Sequence, residues 1–225
     1  MKNKSIQISE TLYRSFFESL VKGDSSRSRD IVNSLLKSEV DVLNLYENLF
    51  RRALYQIGEY WAKSLISVAE EHIATAIVEN LLSQVQSTRH LAEEPAKRAL
   101  IACITYDLHQ VGAKMVANIF EIKGWESIYL GANMPIIDLL NAIDRIKPNV
   151  VCLSLALIEH IKTLVVTVKE IQVNYKKLPI IIGGRALLNI NETELNLESA
   201  ENLYLVRSII QLDPLIDQID QASVA

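Results

Sequence analysis

Ala99-Leu100-Ile101-Ala102-Cys103-Ile104-Thr105 runs directly into Tyr106-Asp107-Leu108-His109-Gln110-Val111-Gly112. The first segment is too short and too β-branched for a helix of its own. It predicts a strand buried on both faces. Ala113 to Lys123 then has a helical pattern, with Val116, Ile119 and Phe120 on one face. Gly124 ends that helix, and Trp125 to Leu130 predicts a second strand. Asp-x-His-x-x-Gly therefore sits on the loop at the carboxyl end of a first parallel strand, where open α/β sheets bind their ligands.

Two chemistries fit that loop. A histidine two positions after an aspartate can ligate a metal through one ring nitrogen. The carboxylate then accepts the proton of the other nitrogen, fixing the tautomer and raising ligand basicity. Gly112 has no side chain, so something bulky can pass close to the backbone where the helix begins. The simpler alternative is a capped helix start, in which Asp107 satisfies orphan amides and His109 is an exposed loop residue.

Two later segments bear on the choice. Asn149-Val150-Val151-Cys152-Leu153-Ser154 predicts a third buried strand, closing in Ser154-Leu155-Ala156. Pro179-Ile180-Ile181-Ile182-Gly183-Gly184 predicts a fourth, closing in a glycine pair. Asp-x-His-x-x-Gly, then Ser-x-x, then Gly-Gly at these spacings resembles the cobalamin-binding domain family, over Ala99 to about Val206. The resemblance implies that the nucleotide tail of the cofactor threads into the sheet. It also implies that His109 replaces the tail's base on cobalt, with Asp107 behind it. Leu108, Val111, Gly112, Ser154, Ala156, Gly183 and Gly184 would line the site. Ala156 departs from the leucine common in that family, at the cost of some apolar contact with the tail.

Composition narrows the rest. The chain has 225 residues, of which 49% are hydrophobic and 22% charged, enough for one large or two small cores. A net charge of −4 argues against a nucleic-acid surface. The amino terminus shows no signal peptide, and no apolar run approaches the ~20 residues of a membrane span. Cys103 and Cys152 both lie in expected strands and read as core residues. The cytoplasm is the expected compartment.

Residues 1–91 read as helical. Ile6 to Leu20 repeats Leu12, Phe16, Phe17 and Leu20 at a helical period. Gly23-Asp24-Ser25-Ser26 breaks the chain, and Ser28 to Lys37 is a short second helix. Asp41 caps a long third, striped by Tyr46, Phe50, Leu54, Ile57 and Trp61. Ser67-Val68-Ala69-Glu70 has the capping-box pattern and opens a fourth helix to about Ser87. Its core stripe is Ile73, Ile77, Leu81 and Val85, while Val68, Glu71, His72 and Thr75 align on a second face. Taken singly, Trp61 is most simply a core residue, and Glu71 and His72 a solvated face. Short connections predict a four-helix bundle, and Ser87 to Ala96 is the expected linker.

The Trp-x9-Glu-His spacing of Trp61, Glu71 and His72, within Ile66 to Ala76, resembles the helical cap of B12-dependent photoreceptors, relatives of light-sensing repressors of carotenoid genes. The resemblance implies that Trp61, Val68, Glu71 and His72 surround the upper, adenosyl face of adenosylcobalamin. It implies further that light breaks the cobalt–carbon bond and the cap rearranges. Those repressors carry a helix-turn-helix ahead of the bundle, whereas this chain opens almost directly on the bundle, so direct DNA binding is not expected. Where the well-studied type has a cobalt-capturing histidine after the tryptophan, this chain has Ala62. Water, His72 or another group would then take the vacated position.

The expectation is an α plus α/β chain: a helical bundle cap over 1–91 and a flavodoxin-like, doubly wound parallel sheet over 98–225. Its last strand is Asn202 to Val206, and a final helix begins near Leu212. The expected function is a non-enzymatic cobalamin-binding light sensor that signals to a partner protein, with oligomerisation open. Some relatives imply a bilin such as biliverdin as second cofactor. The alternative is a corrinoid protein that carries methyl groups between methyltransferases. An acid–base enzyme using Glu71 and His72, or a purely structural module, fits the motifs less well.

Overall fold

The strand expected from Ala99 forms as β1 (Arg98–Cys103), and every residue after Arg98 in it is buried. It is one of five parallel strands, with β2 (Glu126–Tyr129), β3 (Val150–Ser154), β4 (Ile180–Gly183) and β5 (Leu203–Leu205), in the order β2-β1-β3-β4-β5. This is the flavodoxin-like order, and the direction of winding reverses between β1 and β3. The computed structural model describes residues 7–87, 97–190, 195, 197 and 202–222. By contacts the chain divides into two units, Met1–Arg89 and His90–Ala225.

In the first unit Ser9 caps α1 (Glu10–Val21) and Asp24 caps α2 (Ser25–Lys37), each side chain accepting an amide of the first turn. Asp41 opens a continuous rod: α3 (Val42–Leu45), a π-helical turn (Tyr46–Arg51) and α4 (Arg52–Ala62). The fourth rod is α5 (Val68–Ser87). The capping box forms as expected. The Glu70 amide donates to Ser67 Oγ at 3.2 Å, and the Ser67 amide returns to Glu70 Oε2 at 2.7 Å. The core is aromatic, Phe50 stacking at 5.8 Å on both Phe16 and Tyr46. Burying rings of this size dominates the stability of so small a unit.

Two expectations need correction here. Ile73 does not join the core stripe but is 48% exposed, because α5 turns Ala74, Ile77, Val78 and Leu81 inward. Ile73 packs instead against the turn after α1, where a Cβ on Gly23 would lie 3.2 Å from its Cγ2. Trp61 is not a core residue either. It stands at the last turn of α4, beyond the buried stripe that ends at Ile57, and is 50% exposed.

In the second unit α6 (Val111–Ile122), α7 (Ile136–Ile146) and α8 (Ile161–Asn174) make the crossovers between strands. α9 (Ile209–Ala222) begins a turn earlier than expected, with Pro214 inside it. Lys123 fastens α9 by ion pairs of 2.8 Å to Asp213 and Asp217. Leu100, Val151, Leu153, Leu164, Val168 and Ile182 form part of one apolar core. Of the expected linker, Ser87 is the last residue of α5, and residues 88–96 lie outside the described residues. No helix among the described residues is long and apolar enough to cross a membrane.

Candidate functional site

Parallel register brings the three separated motifs to one edge. Cys103 pairs with Ser154, and Ser154 with Gly183, so β1, β3 and β4 end in one row. The loops beyond that row meet at the β1/β3 reversal. Asp107 is fully buried there. Its Oδ1 accepts the His109 amide and faces His109 Nδ1, both at 2.9 Å. Its Oδ2 accepts the Ala156 amide, from the loop after β3, at 2.5 Å. The carboxylate thus ties the two switch-point loops together while orienting the imidazole, whose side chain is 56% exposed.

Electrostatics follow from this packing. Burial by itself raises the Asp107 carboxyl, but hydrogen bonds from the His109 ring, the His109 amide and the Ala156 amide outweigh it. The group is held below the usual carboxylate range and stays an anion. As acceptor it assigns the ring proton to Nδ1. One floor below, burial and then the charge of Asp107 push the Cys103 thiol up to about 12. Burial alone raises Cys152.

The remaining expected residues fall around this pair. Leu108 is 69% exposed and Val111 is buried at the start of α6. Gly112 is exposed, and a Cβ there would meet nothing within 4 Å. Ser154, Ala156, Gly183 and Gly184 are half-buried along the same edge. In the helical unit Val68 and His72 are exposed. Glu71 accepts the Thr75 hydroxyl at 3.0 Å and lies 3.5 Å from His72 Nε2. The aligned face on α5 therefore exists as a small polar cluster.

Several residues escape sequence reasoning. Tyr106 takes a left-handed backbone (φ 72) although it is bulky, and 68% of it is exposed. Its amide donates to Asn133 Oδ1 at 2.7 Å, and the Asn133 amide donates to Asp107 O at 2.9 Å. The loop after β2 therefore also braces the motif. Leu157, Ile158 and Leu188 leave apolar surface at the same edge. The one available signal was apolar Leu157-Ile158 directly beyond a strand end.

The donor set points to one kind of metal. Among the described residues no three His, Cys, Asp or Glu side chains converge as a metal site. One outward imidazole backed by a buried carboxylate cannot by itself enclose a bare ion, for which three or four protein ligands are usual. It suits a metal that arrives with its other donors in place, and the open space over Gly112 leaves room for a large ligand.

Comparisons with known proteins agree. Residues 97–195 match a model described as a B12 binding domain, and residues 12–86 match a second model of the same description. The HTH-type transcriptional repressor CarA of Myxococcus xanthus is 31% identical over 120 residues, 53% of this chain and 41% of the repressor. The trimethylamine corrinoid protein of Methanosarcina barkeri is 24% identical over 148 residues, 61% of this chain and 64% of that protein. The chain thus spans less than two thirds of either relative. Neither name is that of an enzyme. The monomethylamine corrinoid protein of Methanosarcina barkeri shares the fold, with a TM-score of 0.77 at 10% identity over 93% of this chain and 99% of that one. With both its helical and its α/β parts matched, the chain belongs to the B12 binding domain family.

Proposed function

We propose that the chain is a cobalamin-binding light sensor that passes its signal to a partner protein. The observation that carries it is the Asp107–His109 pair at the switch point, with Nδ1 engaged and the imidazole outward. His109 is the lower cobalt ligand, and Asp107 holds its tautomer and aim. Gly112, Ser154, Ala156, Gly183 and Gly184 take the nucleotide tail, and Leu108 and Val111 flank it. When bound as adenosylcobalamin, the cofactor supplies a cobalt–carbon bond that light can break. Trp61, Val68, Glu71 and His72 are the residues this reading assigns to the adenosyl group. Trp61 offers a large rigid surface, while Glu71, held by Thr75, offers an acceptor of fixed position. A bilin such as biliverdin is proposed only as an additional cofactor.

The test is the absorption spectrum of the protein loaded with adenosylcobalamin, before and after green light. A spectrum that changes on illumination supports the sensor.

A second reading is a corrinoid protein that carries methyl groups for methyltransferases. The similarity to the trimethylamine corrinoid protein over 61% of this chain favours it. It requires a methylated form that a methyltransferase can discharge.

A further inference from the structure

Gly184 stands where the chain leaves β4, with φ +117. A Cβ there would lie 2.1 Å from Leu155 O, 2.6 Å from its carbonyl carbon and 2.8 Å from its nitrogen. These are backbone atoms, so no rotamer change relieves the clash. The adjacent Gly183 is different: its Cβ would sit an ordinary 3.7 Å from Val206 O. Leu155 is held by the same segment from both sides. Its amide donates to Gly183 O at 2.9 Å, and its carbonyl accepts the Ala186 amide at 3.2 Å. The next amide, that of Ala156, donates to Asp107 Oδ2.

We infer that Gly184 is a positioning residue for His109, acting through Leu155, Ala156 and Asp107 in addition to leaving room for the nucleotide tail. The inference rests on His109 being the lower ligand. A side chain at 184 displaces residues 155–156 outward and withdraws the Ala156 N–H from the carboxylate. Asp107 then keeps only the donors of its own loop, and its plane is free to turn. The imidazole turns with it, because ring and carboxylate are joined at Nδ1. The two glycines therefore do different work, and only the second is required before any cofactor arrives.

The test uses the 15N-labelled full chain without cofactor, followed by titration with hydroxocobalamin. Gly184→Ala should keep its far-UV circular dichroism, move the Ala156 amide proton upfield and speed its exchange. It should bind hydroxocobalamin roughly 10–100-fold more weakly, as when a ligand's orienting partner is lost. Gly183→Ala should leave the Ala156 amide shift and exchange of the cofactor-free chain at wild type. An unchanged Ala156 amide and affinity in Gly184→Ala, or an equal change of that amide in cofactor-free Gly183→Ala, overturns the inference. His109→Ala is titrated alongside. Unaltered binding there removes the ligand reading, while the cofactor-free amide signals still decide whether Gly184 sets the Asp107 contact. Should Gly184→Ala fail to fold, Ala156→Pro deletes the same donor, and an unchanged histidine-bound spectrum in it is equally fatal.

Discussion

His109 Nδ1 lies 2.9 Å from Asp107 Oδ1, and the same oxygen accepts the His109 amide at 2.9 Å. One carboxylate oxygen thus fixes both the backbone and the ring of the residue two positions on, while the other oxygen reaches across the switch point to Ala156. The His109 side chain is half exposed, and the carboxylate that orients it is fully buried.

His109→Ala should therefore abolish the histidine-bound cobalamin spectrum and weaken binding. Asp107→Ala, which keeps the ligand but removes its orienting partner, should cost roughly 10–100-fold in affinity. Spectral titration with hydroxocobalamin checks both. Wild-type spectrum and affinity in His109→Ala would refute the assignment.

If the chain is the proposed light sensor, Trp61 is the residue expected to govern its response. On that reading, loss of the adenosyl group would leave an apolar volume for the ring to fill, and an unfilled volume of that kind costs several kcal/mol. A large ring with two torsions can fill it in discrete steps, which makes a two-state element biased by one ligand. Trp61→Ala should retain cobalamin on His109 but blunt the light-driven change. Limited proteolysis across the turn between α4 and α5, dark against lit, reports it. Identical dark and lit patterns in the wild type would promote the methyl-carrier reading.

The thiols give a prediction on pH. Burial, then the Asp107 charge, raise Cys103 from 9.0 to about 12, and burial raises Cys152 as well. Few thiolates exist in the folded protein at pH 8, so both cysteines should react slowly with an aromatic disulfide reagent and promptly after unfolding in urea. In the unfolded chain they ionise near 9, before the folded ones do. Their contribution to stability is complete below pH 9 and is lost as pH rises towards 12. Urea midpoints that stay level from pH 8 to 11 in wild type and in Cys103→Ala alike would contradict this.

The chain should not bind DNA by itself, since phosphate contacts need a basic surface and the net charge is −4. Gel shifts with random and promoter DNA should show no complex at submicromolar protein in ~150 mM salt, and a salt-sensitive complex there would sink the expectation.

Much of the architecture was legible in the chain itself because the signals are local. An apolar β-branched run ending in Asp-x-His-x-x-Gly defines β1 and its loop. Ser67 and Glu70 announce the start of α5 within four residues, and Asp41 the start of the long rod. Only the tertiary structure decided which group satisfies the second oxygen of Asp107, since Ala156 is brought there by the pairing of Cys103 with Ser154. It likewise decided that Ile73 and Trp61 face outward, that Tyr46–Arg51 winds as a π turn, and that Gly184 is needed because the Leu155 backbone passes where a Cβ would be. Periodicity and capping depend on residues within a turn or two of one another. Register, burial at an element's end and backbone-to-backbone approach depend on segments far apart in sequence, whose separation no local pattern encodes.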